Sequence, residues 1–111
     1  MTPCKTQTGK PMEKITIERA GVPNLDFVGE IIGQSGGPNP RIKIYRTEGN
    51  LFVAQMDANM TFSKAQQFDK PDGAINWLRA LNSTTYEWEV AVEDAAGHDA
   101  AFKAIWNIEV K

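Results

Sequence analysis

The sequence predicts an α+β domain: a mostly antiparallel β-sheet of about five to seven strands, one helix near residues 70–82 and a C-terminal β-hairpin. Three observations support this. Short runs of alternating apolar and polar residues follow one another along the chain. Clusters rich in glycine, proline and asparagine separate several of these runs. One segment, 69–82, shows the apolar spacing of a helix instead.

The first strands follow a polar N-terminus. Residues 1–12 offer almost nothing to bury, so we expect a flexible tail there and a single globular domain over 13–111. Met12 is a second candidate start of translation. In "KITIE" the isoleucines alternate with polar residues, which predicts a strand, and "LDFVGEIIGQ" predicts a longer one. Gly29 within it indicates a bulge or a close backbone contact.

The central segment, "RIKIYRTEGNLFVAQM", predicts the clearest hairpin, with two β-rich runs around Glu48, Gly49 and Asn50. "MTFSKAQQF" predicts a weaker strand. In "DKPDGAINWLRALN", Pro71 suits a first helical turn and Asp69 a cap. The apolar residues there fall at helical spacing, and they are Ala74, Trp77, Leu78 and Leu81.

The C-terminal segment can be interpreted in two ways. A helix is indicated by the capping-box spacing of Thr84 and Glu87, with Gly97 as its end. Strict alternation favours strands, first over 86–93 and then over 102–111 with Ile105 as the exception. We therefore predict a hairpin with "DAAGHDAA" as its loop and His98 at the tip. Its acidic residues would form the solvated face of an outer strand, and they are Glu87, Glu89, Glu93, Asp94 and Asp99.

Composition excludes several classes of protein. The 111 residues include 41% hydrophobic residues and carry a formal charge of −2, which fits one soluble domain and lacks the basic excess of a duplex-binding protein. One cysteine, Cys4, cannot form an internal disulfide, and no apolar run is long enough to span a membrane. We expect a cytoplasmic protein without a membrane anchor.

No catalytic or cofactor motif is evident. His98 near Asp94 and Asp99 lacks the further ligands or nucleophile that a metal site or catalytic triad requires. "GEIIGQSGGPNPR" leads through prolines into a strand, whereas a phosphate-binding loop leads into a helix. Glu87 and Glu89 would be strand neighbours with no inferable cleft. We therefore predict no catalytic residue, no metal site, no cofactor and no enzymatic activity, with a small-molecule binder or a carboxylate-based hydrolase as an alternative.

The central hairpin supplies the candidate binding surface. If Glu48 and Gly49 formed a two-residue turn, one face would present basic and aromatic residues together: Arg41, Lys43, Tyr45, Phe52 and Met56. Such a face suits a protein interface, and stacking of single-stranded bases is the alternative. A three-residue turn would dissolve it, and the helix could cover it.

The function that we predict is a small interaction protein, such as an adaptor, an inhibitor or an immunity-type factor. The partner would be a protein; single-stranded nucleic acid is the less favoured partner, and a second copy of the chain is a further candidate.

Overall fold

Five antiparallel strands followed by three helices form the domain, as seen in a computed structural model that describes residues 12–19, 21–37, 40–57, 63–81 and 86–106. The strands lie side by side in chain order and are β1 (Glu13–Ile17), β2 (Leu25–Gln34), β3 (Ile42–Thr47), β4 (Phe52–Asp57) and β5 (Ser63–Phe68). The helices are α1 (Pro71–Leu81), α2 (Glu87–His98) and α3 (Ala100–Trp106). The α+β class, the antiparallel sheet and the helix near 70–82 are confirmed. The predicted tail lies outside the described residues except for Met12.

The predicted C-terminal hairpin is wrong, because residues 87–106 form two helices; residues 107–111 of the predicted second strand lie outside the described residues. The buried residues of α2 are spaced at i, i+3, i+4, i+7 and i+8, the stripe of an amphipathic helix: Trp88, Ala91, Val92, Ala95 and Ala96. Three of these five residues are alanines, which the alternation pattern left out, although alanine is the strongest helix former. Two residues of the predicted alternation are exposed instead, Tyr86 and Val90. The predicted loop position of His98 is likewise wrong, since it lies in the last turn of α2.

Asp99 separates α2 from α3. Its backbone is extended, and its side-chain Oδ1 accepts hydrogen bonds from the backbone N–H groups of Ala101 (2.9 Å) and Phe102 (3.2 Å). This is the N-cap arrangement, which satisfies two of the donors that the first turn of a helix leaves without partners. The short α3 thereby turns back and places Phe102, which is fully buried, into the core.

The helices cover one face of the sheet, which we call the helix face. Side chains from β2, β3 and β4 meet α1, α2 and α3 there, with Ile42, Ile44 and Leu78 among those with no exposed surface. Phe52 contacts Phe102 edge-to-face at 5.3 Å between ring centroids. α2 lies directly on Gly33 of β2 and leaves no room for a side chain there, because an added Cβ would stand 2.5 Å from the carbonyl oxygen of Ala91.

The opposite face of the sheet is concave. Arg19, just after β1, donates from Nη1 to the carbonyl oxygen of Ala65 in β5 (3.0 Å), although β1 and β5 are the two outer strands. In a flat sheet these strands would lie about 19 Å apart, so the sheet curls until its edges approach. Gly29 makes the predicted close backbone contact, since an added Cβ would stand 2.5 Å from the carbonyl oxygen of Arg46.

Candidate functional site

The hairpin between β3 and β4 has a three-residue loop. The N–H of Thr47 donates to the carbonyl of Leu51 (2.8 Å), and that of Asn50 donates to the carbonyl of Thr47 (3.0 Å). Asn50 has a φ of 64°, the left-handed conformation that closes loops of this length and that asparagine tolerates. Tyr45 therefore pairs with Val53 rather than with Phe52, so the register assumed for the binding surface is wrong by one residue.

A shift of one residue moves every side chain of a strand to the other face. Phe52 (3% exposed) and Met56 (7%) consequently lie in the helix-face core. Lys43 and Tyr45 face the concave side, opposite Gln55 and Val53 of β4. Arg41 lies before β3 and binds α2, with Nη1 2.7 Å from Oε1 of Glu87. The structure thus separates the five predicted residues into three locations.

Tyr45 is packed rather than presented. It is 5% exposed, its ring contacts Phe27 edge-to-face at 5.3 Å, and its hydroxyl donates to Oε1 of Gln55 (2.7 Å). Burial, together with the negative charge of Asp57, raises its pKa to about 12. A neutral phenol held in this way positions its neighbours, and its faces are not open for a base to stack on.

A row of half-exposed apolar side chains surrounds Tyr45 on the concave face. They pack against a small buried cluster of Ile17, Tyr45, Val53 and Ala65. We call the row the apolar strip, and it consists of Ile15, Leu25, Phe27 and Ile31. Lys43, Gln55 and Asp57, each partly exposed, lie at the β3–β4 end of the same face. No helix of the described part of the chain covers this face.

Three carboxylates of the acidic segment bind α2 and the start of α3 to the sheet rather than forming a solvated strand face. Glu87 pairs with Arg41, and Asp94 Oδ2 accepts from the backbone N–H of Gln34 at 3.1 Å. Asp99, whose side chain is 3% exposed, pairs with Nε of Arg46 at 2.5 Å. The prediction of a solvated strand face is therefore wrong, most clearly for the buried Asp99.

A groove of about 410 Å³ runs between β2 and α2. One wall is the segment Glu30–Gln34, and the other is formed by Asp94, Gly97 and His98, spaced at i, i+3 and i+4 along one side of α2. His98 is exposed, and its Nδ1 lies 2.9 Å from the carbonyl oxygen of Asp94 and 3.4 Å from its Oδ1. The described residues that line the groove include no serine, threonine or cysteine, so they supply an Asp–His pair without a hydroxyl or thiol nucleophile.

Sequence reasoning did not find the strip or the groove. The period-two spacing of Ile15 with Ile17, and of Leu25 with Phe27, already indicated one apolar sheet face there. The groove had a weaker signal: the ten-residue run predicted for β2 is twice as long as the run before it, so part of its edge had to extend beyond β1.

Within the described ranges, no group of three or more potential ligand side chains could hold a metal ion. None of the three helices described there has the length and hydrophobicity of a membrane span. Comparison of the chain with protein-family models, curated proteins and solved structures finds no match.

Proposed function

We propose that this chain is a small non-enzymatic interaction protein that binds a protein partner, and that the apolar strip is its contact surface. The observation that carries the proposal is the half-exposed strip on the sheet face that no described helix covers. Burying the exposed part of such side chains contributes about 25 cal/mol per Å² of apolar surface, which favours association with another apolar surface.

The surroundings of the strip suit a protein interface. Lys43, Gln55 and Asp57 place groups of both charges and an amide at one end, which resembles the polar rim around an apolar interface centre. Tyr45, whose hydroxyl bonds to Gln55, packs edge-to-face against Phe27 and restricts the space in which that ring can turn. A preorganised surface loses less conformational entropy on binding.

Binding of single-stranded nucleic acid is supported less well. That alternative required Tyr45 and Phe52 side by side as a stacking platform, and the two rings lie on opposite faces of the sheet, each at most 5% exposed. Arg41, a further basic residue of that surface, is paired with Glu87.

The test is a comparison of matched variants in affinity purification from the host. Ile15→Arg places a charge in the strip at a half-exposed strand position, and Val90→Arg makes a comparable change at an exposed position of α2. We expect a stoichiometric protein partner with the unmodified protein and with Val90→Arg, and its loss with Ile15→Arg. Circular dichroism and urea unfolding verify that both variants fold.

Two results would contradict the proposal. One is recovery of nucleic acid alone, with binding that weakens steeply as salt is raised. The other is a protein partner retained by folded Ile15→Arg, which would place the contact elsewhere on the molecule.

A further inference from the structure

Among the residues that the structure describes, the edge of β2 is open beyond the start of β1. The pairing of these two strands ends at Glu13 opposite Gly29, whereas β2 continues through Glu30–Gln34 with β3 on its other side. This five-residue extension spans about 16 Å, and the described residues place no strand beside it. An open strand edge presents backbone donors and acceptors to which another extended chain can bond.

The direction of these backbone groups follows from two contacts. The carbonyl of Val28 accepts from the N–H of Glu48, so Val28 bonds on the β3 side. Since backbone groups alternate between the two sides of an antiparallel strand, Glu30 also bonds toward β3, and the N–H and C=O of Ile31 point to the open edge. A bulge between Ile31 and Gly33 then shifts this alternation by one residue, so Gln34 directs its N–H away from β3, where Asp94 already accepts it.

The groove between this edge and α2 leaves space beside the strand. Its volume of about 410 Å³ is within the range of ligand-binding clefts. Gly97 leaves it open on the helix side, because an added Cβ at that position would meet no atom within 4 Å. A second hollow of about 450 Å³, lined in part by Lys103 and Trp106, also borders Gly97. Strand edge and helix together can therefore accommodate an extended chain.

We propose that the β2–α2 groove binds an extended peptide by strand addition, with basic side chains toward α2 alternating with apolar side chains toward the concave face. Side chains of an added strand point alternately to the two faces of the sheet. On the helix side they meet the carboxylates of Glu30 and Asp94, and the described residues that line this groove include no lysine or arginine. On the concave side they meet Ile31 and continue the apolar strip.

This inference rests on the proposed function for the kind of partner, a polypeptide, but it uses a different binding mode and a site that shares only Ile31 with the strip. A partner lost in Ile15→Arg but retained in folded Gly97→Met would leave the proposed function standing and refute strand addition. A partner retained in folded Ile15→Arg but lost in Gly97→Met would refute the strip as the contact surface and support strand addition.

The direct experiment is nuclear magnetic resonance titration of the full chain, labelled with nitrogen-15, with synthetic peptides of about seven residues. The probe peptide alternates lysine and valine, and its control alternates glutamate and valine. We expect the lysine peptide to shift the amides of Glu30–Gln34 and Asp94–His98 and to slow hydrogen exchange at Ile31. The glutamate peptide should bind at least about tenfold more weakly.

Two variants make the site assignment specific. Gly97→Met fills the groove without a clash at its Cβ and should abolish the shifts, whereas Ala80→Met, at an exposed position of α1, should leave them unchanged. Asp94→Asn removes a charge while keeping an oxygen acceptor for Gln34, and should reduce the preference for lysine over glutamate.

Several outcomes would overturn the proposal: no shifts up to about 1 mM peptide, equal binding of both peptides, or equal shifts in Gly97→Met. It would also be overturned if the same amides shifted with protein concentration alone, which would identify a second copy as the occupant. The proposal would likewise be overturned if the amide of Ile31 were protected from hydrogen exchange in the free protein and lost this protection on deletion of residues 1–11.

Discussion

Asp99 is the residue whose replacement should destabilise the domain most informatively, because a single carboxylate has two structural roles. Oδ1 caps α3 through the N–H groups of Ala101 and Phe102, and Oδ2 pairs with Nε of Arg46. The side chain is 3% exposed and that of Arg46 is 28% exposed. The carboxylate thus joins α3 to β3 at a place where solvent screens the charge pair weakly.

The magnitude can be estimated from the two roles. Loss of an N-cap to alanine costs about 1 kcal/mol. Removing one partner of a fully buried pair costs about 3–5 kcal/mol, and the partial exposure of Arg46 and its bond to Asn50 reduce this to about 1–3 kcal/mol. We expect Asp99→Ala to lower the free energy of unfolding by about 2–4 kcal/mol, a large part of the stability of a small domain.

Asp99→Asn separates the two contributions. Asparagine caps helices about as well as aspartate, but it cannot supply the charge that Arg46 requires. Asp99→Asn should therefore lower the free energy of unfolding by about 1–2 kcal/mol less than Asp99→Ala does. Urea unfolding followed by tryptophan fluorescence measures both, with Glu93→Ala as the control that removes an exposed carboxylate of α2. The reasoning would be refuted if Asp99→Ala stayed within about 0.5 kcal/mol of the unmodified protein, or if Asp99→Asn and Asp99→Ala were equally unstable.

Three further predictions follow from single positions. Gly33→Ala should destabilise the protein by about 1–3 kcal/mol in urea unfolding, because its Cβ would stand 2.5 Å from the carbonyl oxygen of Ala91 and α2 would have to move; near-neutral stability would contradict the packing. Gly97→Ala should raise stability by about 0.5–1 kcal/mol, because the position is helical and nothing lies near the new methyl group; destabilisation would mean that the position is more crowded than the structure shows. Tyr45→Phe should lower the free energy of unfolding by about 1 kcal/mol at neutral pH, because the hydrogen bond to Gln55 is lost. Burial raises the pKa of Tyr45 from 10.0 to about 12, so between about pH 10 and pH 12 the folded state keeps a proton that the unfolded chain releases, and stability declines. Tyr45→Phe should remove this decline. Urea midpoints that fall equally in both proteins across this range would contradict the prediction.

The sheet and α1 could be predicted from the sequence because their signals are local. Alternation over Ile15–Ile17 and through the central hairpin, together with turn residues between the runs, indicates strands whatever lies around them. Pro71 and the spacing of Ala74 and Leu78 similarly indicate a helix. A chain of short antiparallel strands followed by a helix then has few arrangements open to it, of which the meander is the simplest.

The register of the central hairpin also depends on local residues, but the composition of its loop is compatible with two different registers. Glu48 and Gly49 can form a two-residue turn, and with Asn50 they can form a three-residue loop. The second was adopted because Asn50 takes the left-handed conformation and Leu51 bonds back to Thr47. One residue of difference moved Phe52 and Met56 into the core and left Lys43 and Tyr45 on the concave face.

By itself the sequence determined the α+β class, the antiparallel strands and the position of α1, because short-range periodicity and turn chemistry govern these features. The structure of residues 86–106 was decided by tertiary contacts, since Trp88 and Val92 fit both an alternating and a helical pattern. Ala91 and Ala95 of α2 pack directly on Gly33 of β2. The buried stripe of the helix is stabilised by this contact with the sheet. The strip and the groove likewise exist only because the sheet curls and α2 lies beside the open edge of β2, both of which depend on residues far apart in the chain.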